Sequence, residues 1–309
     1  MAEPLVSAGT DPDETLQAFF ARRLGAGFAR ELLPALVAGV LAAPPERLGL
    51  EALPQLRRLE ALGGLALGGL RLGAEQTWRP AAGLGDLARN LAARLGCVRT
   101  GHPALALEAR PDGRWRVHGA GQTRDADAVV LALPSPQAAA LLAPVAPGSA
   151  ALLAAIPVLD LRIWHSRHPP VTGWERGIGL LVHPPENRGL LGAISLAADD
   201  PCGVPGLLHL RSYLGGAFPV APELEAWPGL FQELRRWLPE LGEPLQVRAE
   251  SCPGAFPLMA PGHGAQVTRL VAALPGGLHW LGAARFGPGV PDLAQGIEAW
   301  AKGLPAPPE

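Results

Sequence analysis

The residues best placed to do chemistry lie between Leu278 and Trp300, in the stretch LHWLGAARFGPGVPDLAQGIEAW. A short apolar run (Leu278, Trp280, Leu281) leads into glycines at 282, 287 and 289, and a helical pattern follows. Pro291 and Asp292 stand where that helix should begin, since proline suits a first turn and aspartate complements the positive end of the helix dipole. A strand, a glycine-rich crossing and a helix N-terminus together present backbone N–H groups to an anionic or electron-rich ligand. Glycine turns before helices are also ordinary punctuation, so the pattern alone leaves ligand binding and plain architecture both open.

Other constellations are weaker. His165 and His168 lie three apart, but Pro169-Pro170 follows and no carboxylate accompanies them, which argues against a metal site. Asp199-Asp200 reads as a solvated loop pair. No G-x-S-x-G, P-loop or HExxH sequence occurs. Gly25-Ala26-Gly27 follows a helical pattern rather than a strand, and Arg30 occupies the place of a third glycine, so it fails as a dinucleotide fingerprint. Nothing nominates a general acid or base. That absence suits a protein whose cofactor carries the reaction.

The elements that must position such a site can be read in order. With 309 residues the chain can bury a large core in one or two domains. A net charge of −2 gives no electrostatic case for nucleic acid. Lys302 is the only lysine among 26 basic residues, and the chain holds 39 glycines and 34 prolines, yet hydrophobic periodicity persists and predicts a globular protein. Cys97, Cys202 and Cys252 are widely spaced, which argues against a disulfide framework and fits a reducing cytoplasm. No signal peptide is legible at the N-terminus. Ala128 to Leu159 carries no charge, but prolines at 134, 136, 144, 147 and 157 divide it, predicting buried strand plus helix rather than a membrane span.

Leu16, Phe19, Phe20 and Leu24 predict a first helix after Asp11-Pro12-Asp13-Glu14. Phe28, Leu32, Leu33, Leu36, Val37 and Val40 predict one buried face of a second, kinked at Pro34 and ended by Pro44-Pro45. Leu53, Leu56, Leu59 and Leu62 suggest a third, and Leu84, Leu87, Leu91 and Leu95 a short fourth. Residues 104–109 and 114–118 alternate around Pro111-Asp112-Gly113, a hairpin signal. Ala126 to Leu133 predicts a parallel strand buried on both faces, with an Ala- and Leu-rich helix after Pro136. Strands are expected within 159–164, 178–182, 190–196 and 207–214, and a helix over 222–239. A strand at 245–250 then leads into turns from Pro253 to Gly264.

Several segments, in order and spanning nearly the whole chain, resemble the oxygen-dependent protoporphyrinogen and coproporphyrinogen oxidases of the flavin-containing amine oxidase superfamily. ETLQAFFARRLG and ELLPALVAGVLAAPPERLGLEALPQL resemble the family's helical substrate-domain segment, and AAGLGDLARNLAARLG its GGL…LP…LA segment. GRWRV followed by ADAVVLALP resembles a hairpin and strand of the FAD domain. GIGLLV, LLGAI and YLGG resemble three strands lining the substrate cavity. FPLMAPGH is similar to IPQYxxGH, and LGAARFGPGVPD to the final flavin segment.

The resemblance implies an α/β (α+β) fold: a partial FAD-binding Rossmann-like domain interleaved with a helical and antiparallel-sheet substrate domain. The expected portions are 1–75 (helical, membrane-associated), 76–155 (FAD domain), 156–252 (antiparallel substrate domain) and 253–309 (C-terminal FAD domain). Carried over by position, FAD would be lined by Ala104, Gly264, Gly282, Gly287, Pro288, Gly289 and Val290. Gly39, Ile178, Leu181 and Tyr213 would face the porphyrinogen, and Arg176 or Arg211 would meet its propionates. The implied reaction is O2-dependent oxidation of the porphyrinogen to a porphyrin in haem biosynthesis, cytoplasmic and with peripheral contact at the inner face of the membrane. Leu41, Ala43 and Pro44 replace the family's tyrosine, glycine and aspartate, Arg285 replaces an aromatic residue, and the last helix is one residue short before Gly296. The opening strand–GxGxxG unit has no counterpart in this sequence. The readings left open are an N-terminally truncated fragment of such an enzyme, a chain that works with a separate N-terminal FAD-binding segment, another amine oxidase or desaturase, and a flavin-free remnant or partner subunit.

Overall fold

The computed structural model describes residues 6–72, 80, 82–174, 177–186, 188–196, 200 and 203–304. Arg176, Asp199 and Cys202 lie outside the described residues.

Thr15 starts the helical portion, its hydroxyl accepting from the Ala18 N–H ahead of α1 (Leu16–Leu24), and Gly25 at φ 92° ends that helix. Two helices, α2 (Ala26–Glu31) and α3 (Leu33–Leu41), stand where one kinked helix was expected. The break falls at Leu32, which puts Pro34 in the first turn of α3, where its missing N–H costs no helical hydrogen bond. The expected apolar face is also split. Leu33 and Val37 enter the core, whereas Leu32, Leu36 and Val40 are exposed. Next come α4 (Gln55–Ala61), α5 (Leu65–Leu72) and α6 (Leu84–Leu95). Every leucine of the predicted α6 stripe is exposed, and no residue of that helix is buried.

The hairpin forms as read, from β1 (Ala104–Ala109) and β2 (Trp115–Gly119). Asp112 accepts from the Arg114 N–H at the turn, with Gly113 at φ 82°. A third antiparallel strand, β3 (Gln122–Ala126), was not foreseen. Only β4 (Val129–Leu131) remains of the long apolar strand, and Val130 is 43% exposed, so burial on both faces does not hold there. The uncharged run then folds back through α7 (Ser135–Leu142) and α8 (Pro147–Ala154). No helix among the described residues is long and apolar enough to cross a membrane.

A five-stranded antiparallel sheet follows. Its strands are β5 (Val158–His168), β6 (Gly179–Leu181), β7 (Leu190–Ser195), β8 (Leu208–Gly215) and, beyond helix α9 (Trp227–Trp237), β9 (Gln246–Pro257). The order is β6-β7-β8-β5-β9. The turns expected from Pro253 are therefore partly strand: β9 is an edge strand, where proline's missing N–H breaks no ladder. The chain closes with α10 (His263–Ala273), β10 (Leu278–Trp280), α11 (Ala283–Phe286) and α12 (Val290–Lys302). β10 pairs in parallel with β4.

Three cores result. The first packs Leu16, Phe19, Leu33, Val37 and Leu48 of the helical portion against Leu159, Leu191 and Met259. The second joins Trp115, Leu131, Leu142 and Leu153 to Leu270 and Trp280. In the third, α9 lays Leu230, Phe231 and Leu234 on Leu208, Leu210 and Leu214 of β8. Distant segments thus share each core, giving a mixed α/β fold with interleaved layers.

Gly216 joins the first core to the sheet. It adopts φ 66°, and a Cβ there would run into the Ala42 carbonyl oxygen. Gly216→Ala is expected to destabilise the fold by about 3 kcal/mol through left-handed backbone strain and overpacking, read as a lowered urea midpoint.

Candidate functional site

The parallel pair β4–β10 decides where a ligand can sit. In open α/β sheets the crevice lies beyond the carboxyl ends of the strands. Here those ends open into a cavity of about 400 Å³ whose lining includes Leu133, Pro134, Ser135, Leu281, Gly282 and Ile297. Among the described residues, no ionisable side chain lines it. The Trp280 indole N–H donates to the Leu133 carbonyl at 3.1 Å, tying the ends of the two strands together. Gly282 adopts φ 155°, ψ −178°, a region open essentially to glycine alone, and so lets the backbone turn at the cavity wall.

Ser135 is the polar feature of this cavity. It is 2% exposed, and its hydroxyl has no hydrogen-bond partner among the described residues. It opens α7, which starts without a side-chain cap, so the positive end of a helix dipole lies at the cavity. The donor set suits a group that is apolar and aromatic over most of its surface and anionic at one point.

Of the seven residues proposed to line a flavin, this cavity takes only Gly282. Ala104 lines a separate cleft beside the β1–β3 sheet, with Arg99 and Gln122. Gly264 faces Glu51 instead, with Oε1 at 3.1 Å from where a Cβ would be. Gly287 packs on Pro54, and Asp292 stands over Gly289. Asp292 also pairs with Arg58 at 3.5 Å, so the chain's own carboxylate meets the start of α12. Pro288 and Val290 complete that turn, with Val290 half-exposed. Sequence reasoning missed Pro134, Ser135 and Ile297. The available signal was that a strand ending in Pro134-Ser135 could pair with one ending in Gly282.

The positions expected to face a substrate are brought together more fully. α3 lies on the sheet edge, and a Cβ on Gly39 would collide with Leu181. Leu181 pairs with Gly192, and Gly192 with Tyr213, so these three side by side carry one face of the sheet. Tyr213 also packs against the first core. Ile178 stands apart, opposite Ser195 at the strand end, where two-residue alternation takes it off that face. Arg285, in place of an aromatic residue, donates to the Trp280 carbonyl at 2.7 Å, and burial pushes its guanidinium below the usual range. His263 is likewise structural, with its Nε2–H on the Ala284 carbonyl at 2.5 Å. His165 and His168 fall on opposite faces of β5, and His168 is held by the Gly242 carbonyl at 2.7 Å.

The sequence profile of the flavin-containing amine oxidoreductases matches residues 5–292. The chain belongs to that family. Among curated relatives, the protoporphyrinogen oxidases of Macaca fascicularis and Homo sapiens are each 29% identical to it over 239 residues. Those matches cover 68% of this chain and 49% of theirs. The chain thus spans about half the length of the curated relatives it matches. Among solved structures, a protein from Exiguobacterium sp. 255-15, provisionally named a protoporphyrinogen oxidase, aligns over 97% of this chain and 70% of its own at a TM-score of 0.73 and 23% identity. Cyclohexylamine oxidase from Brevibacterium oxydans IH-35A aligns over 88% and 62% at 0.60 and 18% identity. At these identities the structural likeness establishes the fold.

FAD is the cofactor that goes with an amine oxidoreductase of this fold. The cavity fits part of it: apolar walls for a ring system, and Ser135 with the α7 N-terminus for a phosphate or carbonyl oxygen. Ser135→Ala is expected to weaken FAD about fivefold, the loss of one hydrogen bond worth about 1 kcal/mol, as read by quenching of flavin fluorescence. The urea midpoint should not fall, because the hydroxyl has no partner among the described residues.

Proposed function

We propose that this chain is part of an FAD-dependent oxidase that converts protoporphyrinogen IX or coproporphyrinogen III to the porphyrin with O2 as electron acceptor. The observation that carries the reading is the shared face of Gly39, Leu181 and Tyr213, an apolar wall formed by α3 and the sheet. The relatives' names point the same way. A bound flavin would supply two-electron oxidation, so the six-electron conversion of porphyrinogen to porphyrin would take three cycles, each reducing one O2 to hydrogen peroxide. The chain's own residues would bind and orient. Leu181 and Tyr213 exclude water from the macrocycle's face, and Ser135 would fix the cofactor. Among the described residues no ionisable side chain lines the cavity, which is consistent with a reaction carried by the cofactor.

The flavin site is completed in this reading by a strand–GxGxxG–helix unit outside the present sequence. Val129 donates to the Gly277 carbonyl and the Leu131 carbonyl accepts from Leu281, so Val130 between them turns its N–H and C=O away from β10. Among the described residues, no strand pairs with that edge of β4. The other edge of the pair is met by the chain itself, where Arg285 donates to the Trp280 carbonyl. Parallel sheets are normally wider and covered on both faces, and a further parallel strand beside Val130 would satisfy both needs. The exposed Leu32, Leu36 and Val40 suit peripheral contact at the inner face of the membrane.

The test is the absorption spectrum of the purified chain, with and without FAD, followed by porphyrinogen oxidation read as porphyrin fluorescence. Turnover of porphyrinogens but not of amines supports the reading. Turnover of amines alone would replace it with an amine oxidase.

A further inference from the structure

The face of the sheet that carries Leu181 and Tyr213 changes character along the strands. Three successive rungs can be read from the register. Ile163 stands between Tyr213 and Glu250, His165 between Arg211 and Arg248, and Arg167 between His209 and Gln246. Alternation puts all nine side chains on one side, opposite the side on which α9 packs. Ile163 and Tyr213 of the first rung continue the apolar wall, with Glu250 at its end, while the next two rungs are basic. They enclose a pocket of about 230 Å³ lined by His165, Arg167, His209, Gln246, Arg248 and Glu250. The side of the sheet that should be the wet, neutral one therefore carries three guanidinium groups against one carboxylate.

We infer that this pocket binds carboxylate groups on one edge of an otherwise apolar ligand, whose body lies over the Tyr213 and Leu181 rung. Arg167 and Arg248 supply planar forks that match carboxylates, with the His165 ring beside them. Arg211 stands beside His165 on the same rung, outside the pocket's lining, and adds its charge from behind. Arg167 is oriented by Gln246, whose Oε1 accepts its Nη1 at 3.0 Å, leaving its other N–H groups free to face the pocket. Burial first, and the Arg211 charge next, push the His165 ring below the ordinary histidine range despite Glu250 at 3.6 Å, which favours the neutral ring. From Ile163 to Arg167 the strand rises about 14 Å, comparable to a macrocycle with its acidic side chains. The basic groups stand at one end only, which selects a ligand with carboxylates on one edge. If the ligand is a porphyrinogen, as proposed above, that pattern favours protoporphyrinogen over coproporphyrinogen, whose carboxylates surround the ring.

Fluorescence titration of the full chain with protoporphyrin IX, its dimethyl ester and laurate tests the assignment. Arg248→Gln and Arg167→Gln are each expected to weaken protoporphyrin IX and laurate about tenfold and to leave the ester unchanged. Glu250→Gln should tighten both acids, a gain that misfolding cannot produce. Laurate binding that depends on the arginines, with no porphyrin bound, would keep the pocket and overturn the porphyrinogen reading. Porphyrin binding of equal strength in all variants would keep that reading and overturn the pocket. Failure of both acids to bind also overturns it.

Discussion

Supplied with a strand–GxGxxG–helix unit, fused or as a separate polypeptide, the chain is expected to bind FAD at least about a hundredfold more tightly than it does alone. That factor corresponds to about 2.8 kcal/mol, the scale of a few charge-assisted hydrogen bonds to a pyrophosphate. The reason lies in what the cavity lacks. Among the described residues its lining has no ionisable side chain, and the start of α12 is met by Asp292, so little in the chain offsets two phosphate charges. A glycine turn at a helix N-terminus beside β4 would supply backbone donors where Val130 now presents an open edge. Val130→Pro removes an N–H that points away from β10 and should abolish complementation while leaving the isolated chain's urea midpoint nearly unchanged. Retention of FAD by gel filtration reads the result. Equal flavin content with and without the added unit would mean the open edge is not the site's missing wall.

Glu60→Ala is expected to cost about 3–5 kcal/mol of stability, read as a lowered urea midpoint at neutral pH. Glu60 is 7% exposed, and its Oε1 accepts from Arg23, itself 4% exposed, at 2.5 Å and from Arg22 at 2.9 Å. Arg22 continues the network to Glu14 at 2.8 Å. The alanine leaves a buried guanidinium without its carboxylate, and the N-terminal helices share that core with the sheet. Burial on its own would raise the Glu60 carboxyl, but the hydrogen bonds from Arg23 and Arg22 outweigh it and hold the group below the ordinary glutamate range. A depressed folded value contributes stability above the unfolded value and loses it as pH falls through the folded one. Wild type should therefore lose midpoint steeply on acidification below about pH 4, and Glu60→Ala should lose less. An alanine variant as stable as wild type at neutral pH would show that the network is not holding the helices.

The extent to which this protein was legible follows the range of the interactions involved. Local sequence determined the elements: the helix start after Asp11-Pro12-Asp13-Glu14, the Pro111-Asp112-Gly113 turn, the α9 stripe and the alternating strands β6 to β8 are all set by neighbours within a few residues. The resemblance supplied the family, because motif order survives where identity is low. Errors arose where partners are distant. Leu32, Leu36 and Val40 read as core because periodicity marks a face without saying what covers it. Pro253 read as a turn because sequence does not tell an edge strand from a central one. The cavity depends on pairing 129–131 with 278–280, and the basic rungs on aligning β5 with both β8 and β9. Register is fixed by hydrogen bonds and packing across the whole sheet, so only the tertiary structure could place Ser135 beside Gly282 and Arg211 beside His165.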